Sequence, residues 1–388
     1  MNLKFGNDSA DTGSFKLLEL PPDLCKLVEQ SLESNTTATW TIKGQTNDDA
    51  VLCTTNKTYA IRSIVLSNSV LVVTRPDDAS TVGSGWEQED VVIRDTLHEV
   101  LELVPSVPRL QVLNGLLRGR EYDEGHEDED MEDSQEGDAE EGRPTKRRKF
   151  TYDDARASLQ ASEMELDRGL RERRVLVLDG ELRPIAPTHL TTVLELLLNY
   201  LVSLSLPHSA APVTDLTLAL EDDHEIKPKV TTQVMAWFGQ VDDGLWSLNV
   251  NAVVKEIGLG ILRAYKWWQD DPIPESVFVS KWKTAVGDTF EESVSLDLLL
   301  GNYLSQPSID AFASSEPTLA YFPSSTLPTE PVARFADLFL TRTRWKADDI
   351  APFLSEICVD NKERDKLLLK HARAITDAEG VWYTARMK

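Results

Sequence analysis

The stretch DDAVLCTTNKTYAIRSIVLSNSVLVV at residues 48–73 sets the character of the first part of the chain. It contains the short apolar runs AVLCTT, TYAIRSIVL and SVLVV, and turn-rich pieces such as GQTNDD and RPDDAS lie around them. Apolar runs of this length between turn residues are typical of β-strands. Together with KLLEL and TWTIKG upstream, they predict an antiparallel, barrel-like or sandwich-like sheet between Phe15 and about Arg94.

One helix is predicted inside this strand-rich part. The tripeptide PPD at 21–23 is a suitable start, because proline fits the first turn of a helix, where its missing N–H is not needed. The apolar residues that then recur at helical spacing are Leu24, Leu27, Val28 and Leu32.

The segment TYAIRSIVLSNSVLVV at 58–73 is long and apolar, and it contains few charged residues. A strand of this kind at the edge of a sheet invites aggregation unless another chain covers it. The sequence therefore predicts a protein partner at this strand.

The chain changes character between about Arg118 and Phe150. Residues 121–141 carry 13 acidic side chains and no basic one, and RPTKRRKF follows at once. Like charges at this density bury too little apolar surface to offset the entropy of ordering, so a disordered linker is predicted. A short basic cluster in it is of the kind that nuclear import receptors bind, and its accessibility in a flexible linker favours this interpretation over a simple charge boundary. The residues of this cluster, which favours a nuclear protein, are Lys146, Arg147, Arg148 and Lys149.

After the linker the pattern becomes helical. Residues 153–173, DDARASLQASEMELDRGLRER, and residues 189–206, HLTTVLELLLNYLVSLSL, predict helices from the spacing of their apolar residues. The piece VLVLDGELRPI at 175–185 between them reads as strand.

Three helical blocks follow, each ending in a hairpin with an aromatic residue. Gly244 and Gly380 permit tight reversals in two of these hairpins, after which the tryptophan packs on the helices. Helices followed by a small hairpin, in units of about 60 to 90 residues, describe winged-helix modules, although any α+β domain can end in a hairpin. The hairpin sequences are DDGLWSLN with Trp246, TLAYFPSSTLP with Tyr321 and Phe322, and AEGVWYTAR with Trp382.

Composition limits the classes of function. The 388 residues leave room for two to four domains, and 41% apolar with 27% charged residues is ordinary for a globular protein. The net charge is 40 − 65 = −25, or about −12 without the acidic run, whereas DNA-binding proteins are usually basic. Three widely spaced cysteines suit a reducing compartment. Because there is neither an apolar signal core nor an 18-residue apolar run, we expect no secretion and no membrane span.

Motifs for catalysis are missing from the sequence. It contains no GxxxxGK[ST], GxGxxG, GxSxG or HExxH motif, and its six histidines have no metal-ligand spacing. The acidic DEDMED piece lacks the glycine that a calcium loop needs at its sixth position, where Asp133 stands. We therefore expect no enzymatic activity, no metal site and no cofactor.

The last block differs from the rest of the chain in charge. Residues 331–388 carry 11 basic and nine acidic residues, giving +2, so the other 330 residues carry −27. NKERDKLLLKHARAI at 361–375 predicts a third helix, and RTRWK at 342–346 a connection between helices. The basic residues there predict weak phosphate contacts, although a solvated helix face explains the same pattern. The candidate DNA-binding residues are Arg342, Arg344, Lys346, Lys362, Lys366, Lys370, Arg373 and Arg386.

Four strings, in this order, resemble a known family. They are KLLELPPDL, DDAVLCTTNKTYAIRSIVLSNSVLVV, LQASEMEL, and RWKADDIAPFL with LLLKHARA. They are similar to the Dcc subunit family of sister-chromatid cohesion, a component of the alternative clamp loader built on the small subunits of replication factor C. The resemblance covers roughly residues 16–116 and 152–386.

The resemblance implies a non-catalytic adaptor. In that family the N-terminal half is a β-barrel dimerisation module, which pairs with a small partner subunit and with the C-terminal tail of the large ATPase subunit. The C-terminal half is three tandem winged helices that dock on the catalytic subunit of DNA polymerase epsilon and contact single- and double-stranded DNA weakly. The sliding clamp PCNA would then be an indirect partner.

The predicted architecture is accordingly α+β and multidomain. Its parts are a barrel module at 1–117, an acidic linker at 118–150, and winged-helix regions at 151–268, 269–329 and 330–388. A competing interpretation is a transcription initiation factor, because the large subunit of such a factor also combines a dimerisation barrel, a charged linker and a winged helix. That alternative predicts RNA polymerase II subunits as partners.

Overall fold

A computed structural model divides the chain into two units. Unit 1 comprises residues 1–110 and 156–166, and unit 2 comprises residues 111–155 and 167–388. Helices and small sheets are mixed in the fold, which confirms the predicted α+β class. The structure describes residues 3–5, 14–37, 39–46, 48–74, 91–123, 149–267, 272–306, 316–378 and 380–386.

Unit 1 is built on one six-stranded sheet. Its strands are β1 (Leu3–Phe5), β2 (Leu17–Glu19), β3 (Thr41–Lys43), β4 (Val51–Cys53), β5 (Thr58–Thr74) and β6 (Val91–Pro105). The order is β1-β6-β5-β4-β3, with β2 also paired to β6, and only β1 and β2 run parallel to their neighbour. The predicted antiparallel sheet is therefore confirmed for most of its strand pairs. Over the described residues the sheet is open and does not close into a barrel.

Helix α1 (Pro22–Glu33) begins at the predicted prolines and packs on this sheet. Its Leu24 is fully buried in a small core with Leu52, Tyr59 and Leu103. Leu32, by contrast, is 76% exposed. The helical spacing therefore predicted the helix correctly, but most of its apolar face is uncovered.

The single helix expected at residues 153–173 is two helices, α3 (Tyr152–Ser158) and α4 (Glu163–Glu172). The break is a reciprocal cap, in which the Ser162 backbone N–H donates to Glu165 Oε2 at 3.1 Å and the Glu165 N–H donates to Ser162 Oγ at 3.3 Å. This Ser-x-x-Glu arrangement satisfies backbone donors at a helix start. It therefore fixes a new N-terminus within the apolar pattern.

Unit 2 begins with helix α2 (Val112–Leu116) and the hairpin of β7 (Val175–Leu178) and β8 (Glu181–Pro184). The hairpin turn is Asp179-Gly180, with φ of 49° and 83°. Two consecutive positive φ values are typical of the tight turns that join right-twisted strands. The strand prediction for residues 175–185 is thus confirmed.

The rest of unit 2 repeats one order of elements three times: helix, strand, helices, two strands. Within each repeat the three strands form one sheet, and the last strand is its centre. The first repeat is α5 (Pro187–Ser203), β9 (Ala211–Pro212), α6 (Val213–His224), α7 (Pro228–Trp237), β10 (Gly239–Asp242) and β11 (Leu245–Leu248). The second is α8 (Val250–Leu262), β12 (Ile273–Pro274), α9 (Glu275–Val286), 3-10 turns at Glu291–Ser293 and Leu296–Leu299, β13 (Tyr303–Gln306) and β14 (Thr318–Tyr321). After a 3-10 turn at Ser324–Thr326, the third is α10 (Pro331–Thr341), β15 (Arg344–Lys346), α11 (Ala347–Ile350), a 3-10 segment at Ala351–Ile357, α12 (Asn361–His371), β16 (Ala372–Asp377) and β17 (Gly380–Ala385).

Each repeat contains one fully buried tryptophan that donates its indole N–H to a helix carbonyl. Trp246 donates to Met235 at 2.9 Å, and Trp282 donates to Val254 at 2.7 Å. In the third repeat Trp345 makes the same bond at 2.9 Å, to the carbonyl of Leu338. An indole buried with its donor satisfied contributes large apolar contact without an unpaired polar group. The expectation that Trp246 packs on the helices is confirmed.

One prediction for the last block is wrong and one is confirmed. The helix expected at 361–375 ends at His371, and residues 372–377 form β16, because they pair with β17 over six positions. RTRWK lies between helices as predicted, since it separates α10 from α11, and Arg344–Lys346 within it form strand β15. Leu369, within the predicted helix, is 73% exposed.

Candidate functional site

The first candidate surface is the uncovered edge of β5. Strand β4 pairs with β5 only at Thr58, Tyr59 and Ala60, and no other described strand lies on that side of β5 beyond them. The Ile61 backbone N–H still donates to the carbonyl of Ala50, so it is residues 62–74 that present backbone donors and acceptors to which another strand can add. The flanking side chains are also apolar and exposed, Val65 at 81% and Leu71 at 42%.

A register shift interrupts this strand between Val65 and Val70. Apolar residues on both sides of the shift remain exposed, and they include the neighbours Ile64 and Val65. Because successive side chains point to opposite faces of a strand, both faces of the ribbon are apolar there. The predicted partner surface thus has an open edge and two apolar faces.

The second candidate surface is the basic stripe, which we define as Lys362, Lys366 and Lys370 on α12. All three are exposed, and the four-residue spacing places them on one side of the helix, about 6 Å apart along its axis. Arg373 follows on β16 and is also exposed. Within the described residues, none of these four cations forms an ion pair.

The other predicted DNA-binding residues have internal partners. Arg342 pairs with Asp349 at 3.6 Å, and Arg344 pairs with Asp377 while its guanidinium lies 4.3 Å from the centre of the Trp382 ring. Both arginines are therefore already engaged by partners within the chain.

Arg386 is also engaged within the fold. Its guanidinium donates to the carbonyls of Leu369 at 3.1 Å and Lys370 at 3.3 Å, at the end of α12. A cation at this position complements the unsatisfied carbonyls of a helix C-terminus. Lys346 is half-buried in β15. Of the eight predicted residues, the structure thus brings four together as an exposed set.

The predicted import cluster is only partly described. Lys146, Arg147 and Arg148 lie outside the described residues. Lys149 lies within 3.8 Å of Glu181, which also pairs with Arg120. Nuclear import through this cluster stays a prediction.

The described residues contain no group of three or more His, Cys, Asp or Glu side chains placed to hold a metal ion. None of their helices is long and apolar enough to cross a membrane.

Sequence reasoning missed the carboxylates that form ion pairs with Arg342 and Arg344. Asp377 stands 33 positions after Arg344, and no local pattern joins them before the sheet of the third repeat is known. It also missed an apolar stripe on α10, formed by Val332, Ala336 and Leu340, all of which are exposed. Their four-residue spacing was the available signal.

Comparison with known proteins identifies the family of the chain. Residues 15–354 match the family model described as sister chromatid cohesion protein Dcc1. The sister chromatid cohesion protein DCC1 of Danio rerio is 26% identical over 382 residues, covering 96% of this chain and 89% of its own. The protein of the same name from Saccharomyces cerevisiae is 24% identical and covers 93% of each chain. A probable sister chromatid cohesion protein DCC1 from Dictyostelium discoideum is 24% identical over 97% of this chain and 95% of its own. Since the family model spans nearly the whole chain, the chain belongs to the sister chromatid cohesion protein Dcc1 family.

Proposed function

We propose that this chain is a non-catalytic adaptor subunit of an alternative replication factor C clamp loader that acts in sister chromatid cohesion in the nucleus. It links the loader of PCNA to DNA polymerase epsilon and contacts DNA through its C-terminal repeats. The observation that carries the proposal is the uncovered edge of β5, since a subunit that works by assembly needs such a surface.

The open sheet of unit 1 supports a barrel completed by partners. Strands from the small subunit and from the tail of the large ATPase subunit would add to residues 62–74 and close the sheet. Burial of side chains such as Val65 and Leu71 would contribute roughly 1.5–3 kcal/mol each if it were complete. Closure also removes the exposed edge that would otherwise aggregate.

The three repeats support the winged-helix part of the proposal. Their order of helix, strand, further helical segments and a two-stranded hairpin is the one that a winged helix requires. We propose the predicted boundaries 1–117, 118–150, 151–268, 269–329 and 330–388 for the barrel, the linker and the three winged helices, with one change. The second winged helix begins at α8 (Val250–Leu262), the first helix of the second repeat. Several weak contacts on one chain raise the local concentration of the loader at polymerase epsilon and DNA without a single tight site.

The basic stripe with Arg373 supports weak DNA contact. Three or four cations on phosphates give a slope of about −3 in log K against log salt, and affinity near micromolar or weaker. The triple variant K362E/K366E/R373E should lose most binding to single- and double-stranded oligonucleotides at low salt. The control K26E/R168E/K283E makes the same charge change on other exposed positions. Equal losses in both would mean that net charge, and not this surface, governs binding.

The experiment that tests the adaptor role is affinity purification of the full-length chain from its own cells, with nuclease added, followed by mass spectrometry. Two variants are compared with the natural chain: V65E/L71E at the edge of β5, and L218E at a leucine of α6 that is 55% exposed. We expect replication factor C small subunits and the small partner to co-purify with the natural chain and with L218E. They should be lost with V65E/L71E, because two buried carboxylates would prevent closure.

Two results would overturn the proposal. Recovery of RNA polymerase II subunits in place of the loader would favour the transcription factor alternative. Retention of the partner by V65E/L71E would show that the β5 edge is not the assembly surface.

A further inference from the structure

Helix α10 of the third repeat is apolar on two sides. Phe335, Leu338 and Phe339 are buried in the core of the repeat. Val332 is nevertheless 55% exposed and Leu340 is 86% exposed, and the exposed Ala336 lies between them at the same four-residue spacing. A helix that only covers a core needs one apolar side, so this second stripe calls for another explanation.

The stripe lines a groove of about 480 Å³. The floor is formed by Phe335 and Phe339, and the opposite wall by residues from the end of α12 and the end of β17. The volume lies in the range of about 300–1,000 Å³ that is usual for binding sites. The residues of the opposite wall are Lys370, His371, Ala385 and Arg386.

The charge of the groove is positive. Lys370 and Arg386 line it, and none of the described residues that line it is a carboxylate, although Glu330 at the start of α10 interacts electrostatically with Lys370 and His371. Arg386 is held in place by the carbonyls of Leu369 and Lys370. His371 stacks on Phe335 with ring centres 5.2 Å apart, and burial lowers its pKa below the usual value, so it adds little charge at neutral pH. A cationic wall therefore faces an apolar one.

We propose that this groove binds a short amphipathic helix of a partner protein, with apolar residues facing α10 and acidic residues facing Lys370 and Arg386. From Val332 to Leu340 the stripe covers nine residues, a rise of about 12 Å, which is slightly more than two helical turns. Helix-in-groove recognition uses apolar anchors at this spacing. The cations select carboxylates on the flank of the bound helix.

Other occupants fit less well. A nucleic acid backbone would engage Lys370 but would leave the exposed side chains of Val332 and Leu340 without an apolar partner. An extended peptide would need an open strand edge, whereas the sheet residue closest to the groove, Ala385, belongs to the central strand β17. The inference goes beyond the proposed function, because the groove is separate from the β5 edge and shares only Lys370 with the basic stripe.

The test is fluorescence anisotropy with the full-length chain and two labelled 16-residue helical peptides. Both peptides carry leucines at positions 4, 8 and 11 on one side, and their flanks are either Glu or Lys. We expect saturable binding of the Glu peptide with a Kd below about 100 μM, at least tenfold tighter than the Lys peptide. No saturation up to 1 mM, or equal binding of both peptides, would overturn the proposal.

Variants separate the groove from other surfaces. L340D should weaken binding of the Glu peptide about tenfold or more, because it places a charge on the apolar wall, and K370E should abolish the preference for the Glu peptide, because its new carboxylate offsets the charge of Arg386. L218D is the matched control, since Leu218 is 55% exposed on α6 and does not line the groove. Circular dichroism checks that each variant is folded. An unchanged affinity in L340D, or an equal loss in L218D, would overturn the proposal.

Single-stranded DNA gives a further arm. A 20-nucleotide oligomer should keep its affinity for L340D, because phosphates do not need the apolar stripe. If L340D lowers binding of the oligomer as much as that of the Glu peptide, the groove is a nucleic acid surface and the proposal is wrong.

Discussion

Replacing Gly258 by alanine should destabilise the second repeat, although alanine normally stabilises a helix. Gly258 lies within α8, and a Cβ atom built on it would stand 2.4 Å from Cε2 and 2.6 Å from Cζ2 of Trp282. Contacts under 3.0 Å require a shift of one partner. The indole cannot shift easily, because it is fully buried and held by its 2.7 Å bond to the carbonyl of Val254.

The magnitude follows from three contributions. Overpacking of a core costs about 1–3 kcal/mol, and loss of the indole hydrogen bond costs about 1 kcal/mol. Replacing glycine by alanine within a helix stabilises it by about 1 kcal/mol, because alanine has the higher helix propensity. The free energy of unfolding should therefore fall by about 1–3 kcal/mol in Gly258→Ala.

Urea unfolding of the full-length chain, followed by circular dichroism, measures this loss. Gly115→Ala on α2 is the control, because no atom outside its own helix lies within 4 Å of its added Cβ, and it should be neutral or stabilising by up to about 1 kcal/mol. The double variant G258A/W282F should recover at least about 1 kcal/mol relative to the sum of the single changes, since phenylalanine leaves room for the methyl group. Full stability of Gly258→Ala, or strict additivity in the double variant, would refute the steric reasoning.

Two further predictions concern the third repeat and the thiols. Arg334 is fully buried and pairs with Glu356 at 3.0 Å. Glu356→Ala would leave the buried guanidinium without its carboxylate partner, and the free energy of unfolding measured in urea should fall by about 3–5 kcal/mol. Asp365→Ala removes one partner of an exposed ion pair and should lower it by less than about 1 kcal/mol. Similar losses in both variants would contradict this reasoning. Burial raises the pKa of Cys358 to about 11. At pH 8, therefore, only about one molecule in a thousand carries the reactive thiolate at this position. The thiolate fraction rises about tenfold per pH unit until the pH approaches 11. Mass spectrometry after brief alkylation at pH 8 should therefore find the exposed Cys25 modified well before Cys358, and equal rates would contradict the assignment.

The sequence predicts strands and hairpins where local signals are strong. The turn at Asp243-Gly244 has φ of 49° and 77°, as a tight hairpin needs, and the glycine alone indicated it. The prediction failed at residues 372–375, where alanines favour a helix but pairing with β17 holds them in a strand. Tertiary pairing overrides local propensity in such cases.

The candidate surfaces were predictable to different degrees. The apolar run at residues 58–73 predicted a strand in need of a partner, and its edge is indeed uncovered over the described residues. The sequence shows how many basic residues the last block has, but not which of them are paired with carboxylates. The ion pair between Arg344 and Asp377, for example, depends on two strands that meet only in the fold. The groove depends likewise on the meeting of α10, α12 and β17.

The three buried indoles make each repeat its own reporter of local opening. An indole N–H that is bonded to a helix carbonyl in a dry core exchanges with deuterium only when that core opens. In a nuclear magnetic resonance spectrum recorded in heavy water, Trp246, Trp282 and Trp345 should therefore give persistent side-chain signals, each decaying at the opening rate of its own repeat. Binding of a partner to one repeat would slow the decay of one signal, so the order in which the repeats are engaged can be followed without any added label.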